Sequence, residues 1–150
     1  MKILVTGTGG YIGSLAARRL LEAGMEVVGV DSCVRGFLQP MEILRKEFGE
    51  KKFRYYKKDI RTEVDSVFAS EPSIDAVMHF AALCNVGESE QSPNLYFDNN
   101  VGGVVSLLDA MKQAGVAKLV FSSTCATYGN PEQEVISETH PQNAPTSPYG

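Results

Sequence analysis

The segment that most constrains this chain lies at its start. Ile3-Leu4-Val5 reads as a buried strand and leads directly into Thr6-Gly7-Thr8-Gly9-Gly10-Tyr11-Ile12-Gly13, where Gly7, Gly10 and Gly13 fall at G-x-x-G-x-x-G spacing. Beyond them Ile12, Leu15, Ala16, Leu20 and Ala23 recur at helical spacing, and Gly24 suits a C-terminal cap. Strand, glycine turn and helix in that order have a physical use. The first glycine permits a tight turn, the second lets backbone approach a pyrophosphate with no Cβ in the way, and the third lets the helix pack close to the sheet. The helix N-terminus adds free N–H groups and the positive end of a dipole. Turns collect glycine for many reasons, so the strand–turn–helix context is what makes this a dinucleotide-binding element.

The rest of the chain repeats the same rhythm. Glu26-Val27-Val28-Gly29-Val30 predicts a second strand. A short helix follows over Met41 to Phe48, opened by Pro40 and closed near Gly49. Phe53 to Tyr56 predicts the third strand, Glu63 to Ser70 a short helix, and Ile74 to Phe80 the fourth strand. A long helix is expected from Pro93 to Ala114, stopping at Gly115, and Lys118 to Ser122 gives the fifth strand. Nearly all-apolar strands separated by helices mean a parallel sheet covered on both faces. Right-handed crossovers then give an α/β, doubly wound (Rossmann) sheet of order 3-2-1-4-5. The tail from Gly129 to Gly150, with Pro131, Pro141, Pro145 and Pro148, reads as a long irregular loop, a feature usually tied to function or disorder.

Composition narrows the class. The chain has 150 residues, enough for one domain. Fourteen basic against eighteen acidic residues leave a net charge of −4, without the basic face of a nucleic-acid binder. No apolar run approaches the ~18–20 residues of a membrane span, and the N-terminus is too glycine-rich for a secretory signal. Cys33, Cys84 and Cys125 are odd in number and form no C-x-x-C pair, so they read as reduced thiols in a cytoplasmic protein, with no metal expected. His79 sits in an apolar strand and reads as structural; His140, in the tail, reads as solvated.

Two carboxylates extend the dinucleotide reading. Asp31 ends the second strand, 18 residues after Gly13, where it can accept hydrogen bonds from ribose hydroxyls and repel the extra phosphate of NADP. NAD is therefore the expected cofactor, with Arg35 softening the preference. Asp59-Ile60, after the third strand, suits the adenine amino group and face, although a solvated turn aspartate is equally common.

At this point the sequence resembles the extended short-chain dehydrogenase/reductase family, its NAD-dependent epimerase/dehydratase branch. The segments that carry the resemblance are TGTGGYIGS (6–14), Val30-Asp31-Ser32, Lys58-Asp59-Ile60-Arg61, HFAAL (79–83), VGES (86–89), DNNVGG (98–103), FSSTCATYG (121–129) and SPYG (147–150). Within the branch the chain is most similar to the 4-epimerases that interconvert UDP-glucose and UDP-galactose. The resemblance implies that Gly7, Gly10, Tyr11, Ile12 and Gly13 hold the pyrophosphate. It implies that Asp31, Ser32, Cys33, Arg35 and Gly36 wrap the ribose, and that Asp59 and Ile60 hold the adenine. Phe80, Ala81, Ala82, Asn99 and Ser122 would line the remaining cofactor. Thr124 falls where the family has its catalytic Ser or Thr, and Tyr149 where it has the tyrosine of Tyr-x-x-x-Lys. The implied partners are a UDP-sugar substrate and a second copy in a homodimer.

The chemistry agrees. Inversion at a sugar C4 needs transient oxidation there, with a base to take the 4-hydroxyl proton. A phenol titrates near 10 and needs a neighbouring cation to act near neutrality. Thr124 can hydrogen-bond the same oxygen; without the resemblance it reads as a strand-end cap, and Tyr149 as a loop tyrosine. Residues 1–150 are expected to be an incomplete NAD-binding domain, truncated before the last strands, with the lysine four residues past Tyr149 and the substrate domain beyond it. Such a piece is expected to be inactive alone, with an exposed apolar patch around Val101, Val105 and Leu108 and a bare sheet edge. Cys84 departs from the family, which usually has lysine there. A 4,6-dehydratase would carry Asp-Glu after the catalytic Thr, where this chain has Cys125-Ala126. Another UDP-sugar epimerase or decarboxylase, or a non-catalytic NAD-sensing module, are the other readings.

Overall fold

β-Branched and aliphatic runs leave both sides of a central sheet to be covered, and the helices do this. The computed structural model describes all 150 residues. Five parallel strands, β1 (Lys2–Thr6), β2 (Glu26–Asp31), β3 (Phe53–Lys57), β4 (Ala76–His79) and β5 (Leu119–Phe121), pair in the order β3-β2-β1-β4-β5. This is the predicted topology. Alternation along the strands sends Ile3, Val5 and Val27 to one face and Leu4, Val28, Val30 and Val77 to the other. The first set packs on Ala17 and Leu21 of α1 (Tyr11–Glu22) and on Met41 and Leu44 of α2 (Gln39–Phe48). The second packs on Val67 and Phe68 of α3 (Val64–Ser70) and on Leu107, Ala110 and Met111 of α6 (Gly103–Gln113).

The structure corrects several expectations. The buried face of α1 is Gly13, Ala17 and Leu21, one position round from the predicted stripe; Ile12 and Leu15 are exposed. Gly13 sets this rotation, because a Cβ there would lie 2.1 Å from Gly7 O, so only its Cα side can face β1. The helix expected over 93–114 runs as α5 (Pro93–Tyr96), a π-helical segment (Phe97–Gly102) and α6. A short helix, α4 (Val86–Gln91), precedes it, and a 3₁₀ turn (Cys125–Tyr128) follows β5; neither was expected. The predicted fourth strand loses both ends, retaining Ala76–His79. His140 is half-buried rather than solvated, edge-on to Tyr128 with Nδ1 2.8 Å from Pro141 O. The tail is irregular, as expected. No helix is long and apolar enough to cross a membrane. Val101, Val105 and Leu108 are 55%, 55% and 45% exposed, and Val120 and Phe121 lie open on edge strand β5, so the anticipated apolar surface is present.

His79 is the structural histidine that its apolar setting predicts. Thr6 Oγ1 lies 2.8 Å from His79 Nδ1 and accepts the N–H groups of Phe80 (3.2 Å) and Ala81 (3.3 Å). With its lone pairs taken, the Thr6 hydroxyl donates to an unprotonated Nδ1. Burial pushes His79 down to about 4 from 6.5. The unfolded chain therefore binds a proton between these values that the folded chain excludes. This contribution is complete above pH 6.5 and is lost as pH falls toward 4, amounting to about 3 kcal/mol. Urea unfolding of wild type and His79→Gln from pH 7 to pH 4 should show the wild type losing about 3 kcal/mol more than the variant, in which the depressed carboxylates still titrate.

Candidate functional site

All five strands end at one edge, and a crevice of about 590 Å³ opens there. It lies where the order reverses between β1 and β4, the point at which open α/β sheets bind ligands. Gly7 is the pivot. It adopts φ +77°, and a Cβ would meet the Phe80 and Ala81 backbone at 2.8 Å, so the turn packs directly against the end of β4. Gly10 caps α1 without a side-chain hydrogen bond, and no acidic residue stands in the first turn. The first N–H groups of α1 therefore have neither an intrahelical partner nor a carboxylate over them. The turn and helix form an open cradle for a pyrophosphate, with Tyr11 and Ile12 exposed at its lip.

Asp31 organises the neighbouring wall. Its Oδ2 accepts the Gly9 N–H at 2.8 Å and its Oδ1 the Cys33 N–H at 2.7 Å. A Cβ at Gly36 would come 2.8 Å from Oδ1, so the loop after β2 folds tightly over the carboxylate. Each oxygen keeps lone-pair capacity for a ribose hydroxyl. Asp59 is held differently. Arg61 donates to it from Nη2 at 2.6 Å and from its backbone N at 2.9 Å, and these bonds keep the Asp59 carboxyl below the usual range. Arg61 also pairs with Asp98, tying this wall to the π-helical segment. That segment presents Asn99, whose Nδ2 donates to Asn100 Oδ1 at 2.9 Å. Asn100 in turn exchanges hydrogen bonds with the Leu83 N–H and carbonyl, both 2.9 Å, fixing the loop that follows β4.

Thr124 and Tyr149 line the crevice with these groups. Thr124 caps the 3₁₀ turn: its Oγ1 accepts the Ala126 N–H at 3.2 Å, which leaves its hydroxyl hydrogen free to donate. Tyr149 stands edge-on to buried Tyr96, and its backbone N–H reaches Ser89 Oγ at 3.3 Å. Ser89 is fully buried and donates to Val86 O at 2.6 Å.

Of the residues the sequence singled out, Gly7, Gly10, Tyr11, Ile12, Gly13, Asp31, Ser32, Arg35, Gly36, Asp59, Ile60, Phe80, Ala81, Ala82, Asn99, Ser122, Thr124 and Tyr149 all line this crevice. Cys33 does not. It adopts φ +58° and packs against the α1–α2 core, giving its N–H to the Asp31 carboxylate and its thiol to the Asp31 backbone carbonyl at 4.0 Å; burial, then the Asp31 charge, pushes its thiol up. Lys58, Leu83 and Ser123 line the crevice without having been singled out, and Ser89, Glu88 and Asn100 support it from behind. A local signal existed for α4: Asn85 Oδ1 accepts the Glu88 N–H at 3.0 Å, an Asn N-cap three residues before a Glu.

Comparison with known proteins follows the same outline. The sequence model of the NAD dependent epimerase/dehydratase family matches residues 3–150. The chain is 48% identical over 151 residues to UDP-glucose 4-epimerase of Streptomyces lividans, covering 99% of this chain and 43% of that protein. It is 44% identical to UDP-arabinose 4-epimerase 1 of Arabidopsis thaliana, covering 99% of this chain and 36% of that one. The structure superposes on Bifidobacterium longum UDP-glucose 4-epimerase, solved with NAD+ and UDP, with a TM-score of 0.92 at 36% identity, over 99% of this chain and 44% of that one. The chain thus spans well under half the length of these relatives.

Proposed function

The chain belongs to the NAD dependent epimerase/dehydratase family, and from that premise we propose that it forms the NAD-binding domain of a UDP-sugar 4-epimerase interconverting UDP-glucose and UDP-galactose. The observation that carries this reading is the convergence of the glycine cradle, Asp31, Asp59, Thr124 and Tyr149 on one crevice. The residues fit a dinucleotide: the close approach at Gly13 and the uncapped α1 terminus suit a pyrophosphate, and the spare lone pairs of Asp31 suit ribose hydroxyls.

In this reading Gly7, Gly10, Tyr11, Ile12 and Gly13 hold the pyrophosphate, the loop from Asp31 to Gly36 the ribose, and Asp59 with Ile60 the adenine. Phe80, Ala81, Ala82, Asn99 and Ser122 line the remainder. NAD, when bound, supplies the reversible oxidation at sugar C4 that inversion requires. Tyr149 takes the proton of the 4-hydroxyl and returns it after the sugar has turned its other face. The Thr124 hydroxyl donates to the same oxygen and orients it. Ser89 acts through the Tyr149 backbone as a positioning residue. Turnover belongs to the whole protein, in which a lysine four residues past Tyr149 would favour the phenolate; the 150 residues alone are expected to be inactive. The exposed face bearing Val101, Val105 and Leu108 is the proposed helix-packing and homodimer surface.

The similarity to a UDP-arabinose 4-epimerase favours a second reading, in which the sugar is a pentose. The test is the conversion of UDP-galactose and of UDP-arabinose by the whole protein, wild type and Tyr149→Phe. General acid–base catalysis contributes about 10²–10⁴-fold, so Tyr149→Phe should lower kcat at least 100-fold. A variant within threefold of wild type contradicts the assignment of Tyr149. A wild type that acts on UDP-arabinose alone moves the substrate to the pentose.

A further inference from the structure

Two cations line the crevice, Arg35 and Lys58, and both are engaged. Lys58 Nζ donates to Ser66 Oγ. Arg35, in the loop over Asp31, reaches across the crevice mouth, and its Nη2 donates to Oε1 of Glu88 on α4. Glu88 is itself fixed, because its Oε2 accepts the hydroxyl of buried Tyr96 at 2.8 Å. That hydroxyl also accepts the Asn85 N–H at 3.0 Å. The carboxylate is therefore held in place by its own helix region and holds Arg35 in turn.

The geometry points to Glu88 as a cofactor specificity-determining residue that withholds Arg35 from a phosphate on the adenosine ribose and so favours NAD over NADP. The inference rests on the dinucleotide reading above. A 2′-phosphate is best received by a guanidinium offering two parallel N–H groups. Arg35 follows Asp31 by four residues and precedes Gly36, which lies against the Asp31 carboxylate, so it stands on the ribose wall. While Glu88 pairs with it, a 2′-phosphate meets two carboxylates, Asp31 and Glu88, and a guanidinium whose charge already has a partner, with Lys58 turned to Ser66. Asp31 repels the phosphate as well, but Arg35 would offset that charge if released.

The test is equilibrium binding of NAD and NADP to the whole protein, stripped of nucleotide, as wild type, E88Q, E88Q/R35Q and R35Q. Glutamine keeps an acceptor for the Tyr96 hydroxyl. Releasing Arg35 and removing one negative charge should raise the NADP:NAD affinity ratio of E88Q by roughly fivefold or more, with the gain shrinking in high salt. The ratio should return to the wild-type value in E88Q/R35Q. An unmoved ratio in E88Q, including the absence of measurable NADP binding, overturns the inference, as does a gain that survives in E88Q/R35Q. R35Q alters an exposed side chain and serves even where E88Q disturbs the fold: it leaves Glu88 unpaired, so it should lower the ratio by less than roughly threefold, through charge alone, and the loss should vanish in high salt. A larger loss of NADP affinity in R35Q, or one that persists in high salt, would mean that Arg35 already serves the phosphate, and would overturn the inference. A wild type that binds neither dinucleotide fails the underlying reading; one that binds NAD with an unmoved E88Q ratio fails this inference alone.

Discussion

Gly13→Ala is expected to destabilise the fold by roughly 3 kcal/mol or more and to remove NAD binding. The added Cβ would lie 2.1 Å from Gly7 O, 2.6 Å from Gly7 C and 3.1 Å from Thr8 N. All three are backbone atoms of the phosphate turn, so no side chain can swing aside. Relief requires α1 to move off β1, which opens the packing of Ala17 and Leu21 and displaces the N–H cradle at the same time. Gly10→Ala separates the two effects. Its Cβ would meet Gly7 O at 3.3 Å, a contact that a few tenths of an ångström relieve, yet it projects at the helix N-terminus. Gly10→Ala should therefore keep most of the stability while weakening NAD at least tenfold. Urea unfolding and NAD titration of both variants check the pair. Gly13→Ala with wild-type stability would contradict the packing argument.

Glu71→Ala is expected to cost about 3 kcal/mol, at the opposite edge of the sheet from the crevice. Glu71 is 4% exposed and follows α3. Its Oε1 accepts from Arg54 Nε and from the Tyr56 hydroxyl at 2.9 Å; its Oε2 accepts from Arg54 Nη2 at 2.9 Å and Lys2 Nζ at 3.3 Å. The carboxylate thus joins the start of β1 to β3 across the start of β2. Burial alone would raise the Glu71 carboxyl, but the Arg54 and Tyr56 hydrogen bonds outweigh it and hold it below its ordinary value. A depressed carboxylate stabilises above the unfolded value and loses that contribution as pH falls through the folded one, the same direction as His79. Alanine leaves the Arg54 and Lys2 cations without their partner. Glu71→Gln keeps the shape and one acceptor oxygen, so it should cost less than alanine. Equal losses in both variants would assign the effect to charge alone, and no loss in either would contradict the network. Since Glu71 is remote from the crevice, NAD affinity of the folded variants should stay near wild type.

The sequence carries the sheet more plainly than the helices. The central strands β1 and β2 are short apolar runs buried on both faces, and a parallel order follows from the helices between the strands. Helix rotation is less legible, because the period marks every apolar residue and ignores backbone contact. Ile12 and Leu15 look like core, but Gly13 must touch Gly7, and that contact turns them outward. The π-helical segment at 97–102 has no periodic signature and distinguishes itself only by carrying Asn99 and Asn100 at the site; such segments are frequent at functional sites. The crevice wall is readable because a glycine spacing and a carboxylate at a strand end have local physical reasons. The groups that hold that wall were not. Glu88 meets Arg35 across 53 positions and Ser89 meets Tyr149 across 60, and no local pattern reports contacts of that range. Cys33 shows the converse. The family resemblance implies a place for it on the ribose wall, and its left-handed backbone sends the side chain to the core instead.

In the proposed reaction, oxidation at sugar C4 is reversible and the removed hydrogen returns to the same carbon. UDP-galactose carrying deuterium at C4 tests it directly when incubated with the whole protein in ordinary water and analysed by mass spectrometry and NMR. The expected product is UDP-glucose that keeps the deuterium at C4, with no net reduction of NAD. Loss of the label to solvent, or stoichiometric reduction of NAD with no epimer formed, would contradict it.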